Sequence, residues 1–148
     1  MERRQYHINM SAPNLINICV DEDAGGEISG RLYHRFQKRP SEFSNLMQMI
    51  RLMENLFDEL SFPQASTMSR SFFQRETEAR GEMAKVICHH NLMHFAGREA
   101  TLLVSVRFRQ NSTWQGELFW VEGGEVQNFF STLDFIKIID KILSYDED

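Results

Sequence analysis

The chain has 148 residues, of which 42% are apolar, 11% aromatic and 25% charged. This length and composition predict a single folded domain over residues 1–148 and exclude a disordered chain. Sixteen basic residues stand against 21 acidic ones, so the net charge is −5. That balance argues against a general nucleic-acid coat protein and a membrane-surface protein, although it allows a local basic patch.

The two cysteines, Cys19 and Cys88, are too few for a disulfide framework and favour a reducing compartment. Residues 1–14 contain no apolar stretch, so no secretory signal is expected. No apolar run approaches the roughly 20 residues of a membrane span. We therefore expect a cytoplasmic protein that does not associate with membranes.

Two parts of the chain follow one pattern. Residues 16–36 superpose on 102–122, and residues 42–60 superpose on 125–143, in each case without a gap. The first parts share strand-like alternation of apolar residues, and the second parts share helical spacing. We interpret the pattern as a tandem duplication of one structural unit.

Each unit is predicted to contain three strands followed by a helix. The units cover residues 15–60 and 101–143, and a polar connector over residues 61–100 joins them. Such units predict an α+β fold with antiparallel sheets and helices packed on one face. The predicted core of the second unit contains Val104, Val106, Trp114, Leu118, Trp120, Ile136, Ile139 and Leu143.

Local signals predict where the elements begin and end. Gly123 and Gly124 favour a two-residue type I′ turn between the last two strands. Ser131, followed three residues later by Asp134, indicates a capping box at the start of the second helix. Pro63 is expected to end the first helix just after Phe62.

Charged residues on the strands predict two ion pairs. In the register we expect, Val104 faces Trp120 and Arg107 faces Glu117. The same register sets Asp21 against Arg31 in the first unit, with the charges reversed. Opposite charges across a ladder contribute about 0.2–1 kcal/mol, which is one explanation for these arginines.

A second explanation is single-strand nucleic-acid binding. Arg35 and Arg109 have no cross-strand acid in this register, and Tyr33 and Phe119 lie on neighbouring strand positions. Arginines interleaved with aromatic residues on a sheet are typical of proteins that contact phosphates and stack bases. These four residues are the predicted nucleic-acid site.

The outer face of the second sheet is more apolar than a solvated face should be. Leu103, Phe119, Val121 and Val126 all fall opposite the predicted core residues. Apolar residues on both faces indicate a second covering layer. Either the two units cover each other within the chain, or these four residues form an interface with a second copy or a protein partner.

The sequence offers little support for catalysis. Cys88, His89, His90 and His94 resemble a partial zinc-ligand set, but no CxxC or HExxH accompanies them, so solvated histidines are the favoured interpretation. Phosphate-binding loops and a hydrolase GxSxG motif are absent. No enzyme activity, cofactor or metal is predicted.

Three segments resemble those of an uncharacterised family of small bacterial proteins. They are GEISGRLYHRF (26–36), SFPQASTMSRSF (61–72) and the stretch from RQNSTWQG to KIID (109–140). The resemblance implies no activity, ligand or site residue. At the level of fold, the tandem sheet and helix units are similar to single-strand binders of the PUR and Whirly types, which place four strands before each helix.

The leading functional hypothesis is a non-catalytic cytoplasmic interaction module that self-associates or docks a protein partner. The alternative is a single-stranded nucleic-acid-binding protein that uses the basic and aromatic sheet face.

Overall fold

The computed structural model describes residue 12 and residues 14–25, 27–61, 89–110 and 113–144. Its elements in chain order are β1 (Ile16–Ala24), β2 (Glu27–His34), β3 (Ser41–Phe43), α1 (Leu46–Leu60), α2 (His89–Leu92), β4 (Ala100–Gln110), β5 (Thr113–Trp120), β6 (Glu125–Phe129) and α3 (Thr132–Ser144). Strands and helices occur in separate runs along the chain. The predicted α+β class is therefore confirmed.

The six strands form one antiparallel sheet in the order β3-β2-β1-β4-β5-β6. Strands β1 and β4 pair at its centre, where Ile18 lies opposite Leu102. On either side of this pair, consecutive strands are neighbours, so each half of the sheet is a meander. Within the described part of the chain, β3 and β6 are the two edges of the sheet.

The register of both hairpins differs by two residues from the predicted one. Val104 lies opposite Leu118, where Trp120 was expected, and the equivalent pair in the first hairpin is Ile18 with Leu32. Over residues 16–20 and 102–106, a shift of two residues keeps every side chain on its predicted face, because the side-chain period of a strand is two. The apolar pattern therefore could not distinguish the two registers.

A β-bulge in each hairpin brings the predicted ion pairs together. The additional residue in β1 is Asp21, whose carboxylate lies 2.9 Å from the Arg31 guanidinium. The additional residue in β4 is Arg107, which lies 3.2 Å from Glu117. Both pairs therefore form diagonally across a bulge rather than directly across the ladder.

Glycine is required beside each bulge. A Cβ at Gly30 would lie 1.9 Å from the Cys19 carbonyl oxygen, and one at Gly116 would lie 2.1 Å from that of Ser105. Both distances are far shorter than van der Waals contact. The occurrence of glycine at both positions thus has a steric cause.

Side-chain caps begin both long helices. At the start of α1, Asn45 accepts a hydrogen bond from the Gln48 N–H at 2.8 Å. At the start of α3, Ser131 accepts from the Asp134 N–H at 3.0 Å, and the Asp134 carboxylate accepts from the Phe130 N–H at 3.1 Å. The predicted cap by Ser131 is confirmed, whereas the return bond of Asp134 goes to the N–H of Phe130, one residue before the N-cap position of a capping box.

Helix α1 ends at Leu60, two residues before the predicted end. Ser61 adopts a left-handed conformation with φ 51°, and its N–H donates to the carbonyl oxygens of Phe57 and Asp58. These bonds close the last turn of the helix. Pro63, which was expected to end the helix, lies outside the described residues.

A four-residue turn over 121–124 joins β5 to β6, so the predicted two-residue turn is wrong. Strand β5 ends at Trp120, and the Gly124 N–H donates to the Trp120 carbonyl oxygen at 2.8 Å. Of the two glycines, only Gly124 has a positive φ, of 65°. A type I′ turn needs positive φ at both central residues, which Gly123 does not supply.

The main hydrophobic core contains residues of all six strands and both long helices. Trp114 is fully buried and contacts Phe57 of α1 and Phe135 of α3 edge-on, with ring centroids 5.5 and 5.6 Å apart. The predicted core residues Val104, Val106, Trp114, Leu118 and Ile139 are buried. Trp120, Ile136 and Leu143 are half-buried and pack against the same core.

Candidate functional site

The four residues predicted to bind single strands are not brought together. Tyr33 and Phe119 belong to a second buried cluster, and they alternate along their strands with residues of the main core. They therefore point to the opposite face of the sheet, which we call the outer face. Arg35 and Arg109 are only 4% and 6% exposed. Stacking and phosphate contacts require accessible groups, so these residues do not form an open single-strand surface.

Arg109 is paired with two carboxylates of helix α1. Its Nη1 lies 3.2 Å from Glu54 and 2.8 Å from Asp58. The guanidinium carbon lies 5.6 Å from the centre of the Phe57 ring, and the Trp114 indole N–H donates to Glu54. The prediction that Arg109 lacks an acid is wrong, because the bulge at Arg107 turns Arg109 to the helix-facing side of the sheet, where α1 supplies both acids. Arg109 thus links β4 to α1 through two ion pairs.

The outer face of the sheet is covered by the chain itself. Its buried cluster contains Leu15, Cys19, Tyr33, Leu92, Leu103 and Phe119, and Met93, Phe95, Val121 and Val126 pack against it. Leu92, Met93 and Phe95 belong to the predicted connector, of which residues 62–88 lie outside the described residues. The described end of the connector therefore supplies the second layer that the apolar pattern required.

This arrangement changes the interpretation of the predicted interface. Leu103 and Phe119 are buried in the outer cluster, whereas Val121 and Val126 are half-buried at its margin. The cover comes neither from the other unit nor from a second copy, because Leu92 fills that position. As a continuous open surface, the predicted interface is wrong.

A network of hydrogen bonds holds residues 95–98 against the outer face. Arg31 donates to both Asp21 oxygens, to the Tyr33 hydroxyl at 2.7 Å and to the Ala96 carbonyl oxygen at 2.8 Å. The Arg98 N–H donates to Asp21 at 3.2 Å. The hydrogen bond from Arg31 lowers the pKa of Asp21 below its usual range. Asp21 and Arg31 therefore have a structural role, because they hold residues 96 and 98 against the sheet.

Asn17 and Phe95 add contacts beneath the same segment. The Asn17 side chain donates to the carbonyl oxygens of Leu92 and Phe95 at 2.8 and 2.9 Å. The Phe95 ring stacks on Tyr33 with centroids 3.8 Å apart and planes inclined by 4°. Burial raises the pKa of the Cys19 thiol to about 12, so this thiol stays protonated at neutral pH. The face where bases were expected to stack is thus occupied by the chain's own ring.

An open groove lies between the edge strand β6 and helix α3; we call it the edge groove. Its volume is about 590 Å³, and it is lined by Trp120, Glu125, Gln127, Asn128, Phe130, Asp134, Lys137, Ile138, Lys141 and Ile142. Phe130 is 68% exposed at one end of the groove, and the neighbouring Leu133 is 60% exposed. These are large apolar side chains left in solvent beside a concave surface.

The edge groove was not predicted from the sequence. Leu133, Lys137 and Lys141 recur every four residues and so form one stripe of α3, which was the available signal. Whether that stripe borders an open edge depends on the strand order. Among the described strands, β6 has a neighbour on one side only, so half of its backbone N–H and C=O groups have no partner in that sheet.

The described residues contain no group of three or more His, Cys, Asp and Glu side chains placed to hold a metal ion. Cys88, part of the partial zinc-ligand set, lies outside those residues. In the part of the chain that the structure covers, no helix is long and apolar enough to cross a membrane. Comparison with protein-family models, with curated proteins and with solved structures finds no match for this chain.

Proposed function

We propose that this protein is a non-catalytic cytoplasmic interaction module that uses the edge groove to bind protein. The observation that carries the proposal is the combination of an open sheet edge with exposed Phe130 and Leu133. Exposed strand edges pair readily with another strand, and apolar groups beside them add side-chain burial. Protein ligands supply both a backbone and apolar side chains.

The charges of the edge groove also suit a protein ligand. Glu125 and Asp134 supply two negative charges, and Lys137 and Lys141 supply two positive charges. A groove of balanced charge has no net attraction for the phosphate backbone, which dominates nucleic-acid affinity. Single-strand binding, the alternative from the sequence, gains no accessible arginine and aromatic pair from Arg35, Arg109, Tyr33 and Phe119.

We also propose that the two halves arose by duplication of one unit and that the chain belongs to the bacterial family that its segments resemble. One spacing of 86 residues separates Gly30 from Gly116 and Phe43 from Phe129, and each phenylalanine lies opposite the corresponding glycine. The alignment of residues 42–60 with residues 125–143 uses a spacing of 83 residues and therefore differs by three residues from the spacing of the paired strands. A shift of three residues nearly preserves a helix face, so the apolar pattern concealed it.

Capture from lysate of the source organism tests the interaction hypothesis. The tagged protein should retain a defined protein partner or a second copy of itself, and Phe130→Asp should reduce that capture at least tenfold. Met47→Asp is the matched control, because Met47 is 62% exposed at the start of α1. Equal losses with both variants would contradict the edge groove as the binding surface.

Binding to short labelled oligonucleotides decides the alternative. We expect no change in fluorescence anisotropy with single-stranded DNA or RNA at tens of micromolar protein in low salt. Salt-sensitive binding that is lost in the Arg35→Ala, Arg109→Ala double variant would overturn this ranking, provided that the double variant remains folded.

A further inference from the structure

The side of α3 that lines the edge groove carries an acid at one end and a base at the other. Asp134 lies in its first turn, and Lys141 lies in its last. If two such helices run antiparallel, the acid of each first turn meets the base of the other's last turn. A surface that matches a rotated copy of itself is the requirement for a two-fold symmetric interface.

The strand and the helix of the edge groove are aligned for this symmetry. Phe129 to Gln127 is two residues of strand, about 7 Å at roughly 3.4 Å per residue. Thr132 to Lys137 is five residues of helix, about 7.5 Å at 1.5 Å per residue. Residues of both β6 and α3 line the groove, so α3 runs back along β6, and these two lengths place Gln127 near the level of Lys137. One axis can therefore pass close to both residues.

We propose that the edge groove binds a second copy of this chain, with β6 pairing antiparallel to the partner's β6 about Gln127. This inference rests on the proposed function, since it names the partner that the edge groove takes. The two sheets join into one, and α3 lies antiparallel to the partner's α3. Asp134 pairs with the partner's Lys141.

The size of the contact sets the expected affinity. Helix α3 has 13 residues and is about 20 Å long, and β6 has 5 residues and spans about 17 Å. A contact of this length buries on the order of 1,000 Å² in total, at the lower end for specific association. We therefore expect a dimer that dissociates in the micromolar range.

Charge reversal tests the proposed pairing. Lys141→Glu places an acid opposite Asp134 in both symmetric contacts, and Asp134→Lys places two bases opposite each other. Sedimentation equilibrium from 1 to 200 µM should show that each variant dimerises at least tenfold more weakly than the unaltered chain. An equimolar mixture of the two variants should recover dimerisation, because every contact in the mixed dimer joins an acid and a base. Arg51→Glu on α1, outside the groove, should dimerise normally.

Cross-linking tests the strand pairing without relying on Asp134, which also caps α3. Gln127→Cys brings two thiols together at the axis and should form a disulfide-linked dimer rapidly under mild oxidation. The matched control is Glu42→Cys on β3, the other edge strand, which should cross-link at least tenfold more slowly. Equal rates for the two variants would overturn the pairing.

The remaining outcomes separate this inference from the proposed function. Unaltered protein that stays monomeric to 200 µM, or a variant mixture that does not recover dimerisation, overturns the second copy as the occupant. A monomer that still captures another protein, and loses it in Phe130→Asp, leaves the proposed function intact. A monomer that captures no protein contradicts both.

Discussion

Trp114 is the residue whose loss should most weaken the fold. Its side chain is fully buried between the two long helices, with edge-on contacts to Phe57 and Phe135. Its indole N–H also donates to Glu54 of α1. Trp114→Ala therefore removes one side chain that joins β5 to both helices, and leaves a cavity that neither helix can fill alone.

The expected cost is a large part of the total stability. Truncating a buried tryptophan costs about 3–5 kcal/mol, against about 5–15 kcal/mol for a whole domain. With a urea dependence of roughly 2 kcal/mol per molar, the unfolding midpoint should fall by about 2 M. Trp114→Phe keeps a ring between the helices and loses the donor to Glu54, so it should cost about 1–2 kcal/mol.

Equilibrium unfolding in urea, followed by far-ultraviolet circular dichroism, measures these differences. Trp120→Ala is the matched control, because Trp120 is half-buried at the margin of the same core and should cost about 1–3 kcal/mol. A larger cost for Trp120→Ala than for Trp114→Ala would refute the proposed depth of these two residues. An unchanged midpoint for both would refute the assignment of the inward face of β5.

Substitutions at three other positions test the packing beside a bulge, the pH dependence of stability and the segment that covers the outer face. Gly116→Ala should lower the free energy of unfolding by about 1–3 kcal/mol, measured in urea, since the added Cβ meets Ser105; added stability would contradict this. Burial lowers the pKa of His34 from 6.5 to about 4, so only unfolded chains gain this proton as pH falls between those values. Stability should then drop by up to about 3 kcal/mol, and His34→Asn, compared by unfolding at both pH values, should remove that drop. Phe95→Ala should raise hydrogen exchange at residues 91–98 at least tenfold, whereas unchanged exchange would contradict the stacking on Tyr33.

The sequence predicted the elements of the fold well because alternation and helical spacing are local. Apolar residues every second position identified β4 and β5, and Ser131 with Asp134 identified the start of α3. Burial of Val104 and Leu118 followed from the same alternation. These features depend on neighbours within a few residues, so no knowledge of tertiary contacts was needed.

The register and the partners of buried charges could not be predicted in this way. A bulge moves the later residues of its strand to the other face, and nothing in the sequence marks its position at Asp21 or Arg107. Beyond Arg107 it exposes Phe108 and buries Arg109. Arg109 pairs with Glu54 and Asp58, which precede it by more than 50 residues. Nothing near Arg109 in the sequence indicates that a helix carries its acids.

For the outer face, the sequence predicted that a second layer covers it but did not predict which residues form that layer. Apolar Leu103 and Phe119 on a supposedly solvated face correctly indicated a second layer. That layer contains α2, a helix of only four residues, and the irregular segment after it. Such a segment is too short to show periodicity, so Leu92 and Phe95 gave no signal of their packing.

The β6 edge of the sheet is better suited to the proposed partner than the β3 edge, and the differences between the two halves give the reason. With the spacing of 86 residues, Asp134, Lys137 and Lys141 of α3 correspond to Gln48, Arg51 and Asn55 of α1. Helix α1 therefore has no acid in its first turn to meet a base in the last turn of a second copy. Its strand, β3, has three residues, whereas β6 has five. Short edge strands resist pairing with other chains. If the halves are copies of one unit, their difference lies at the edges, where the second half has the features that the proposed pairing needs and the first half lacks them.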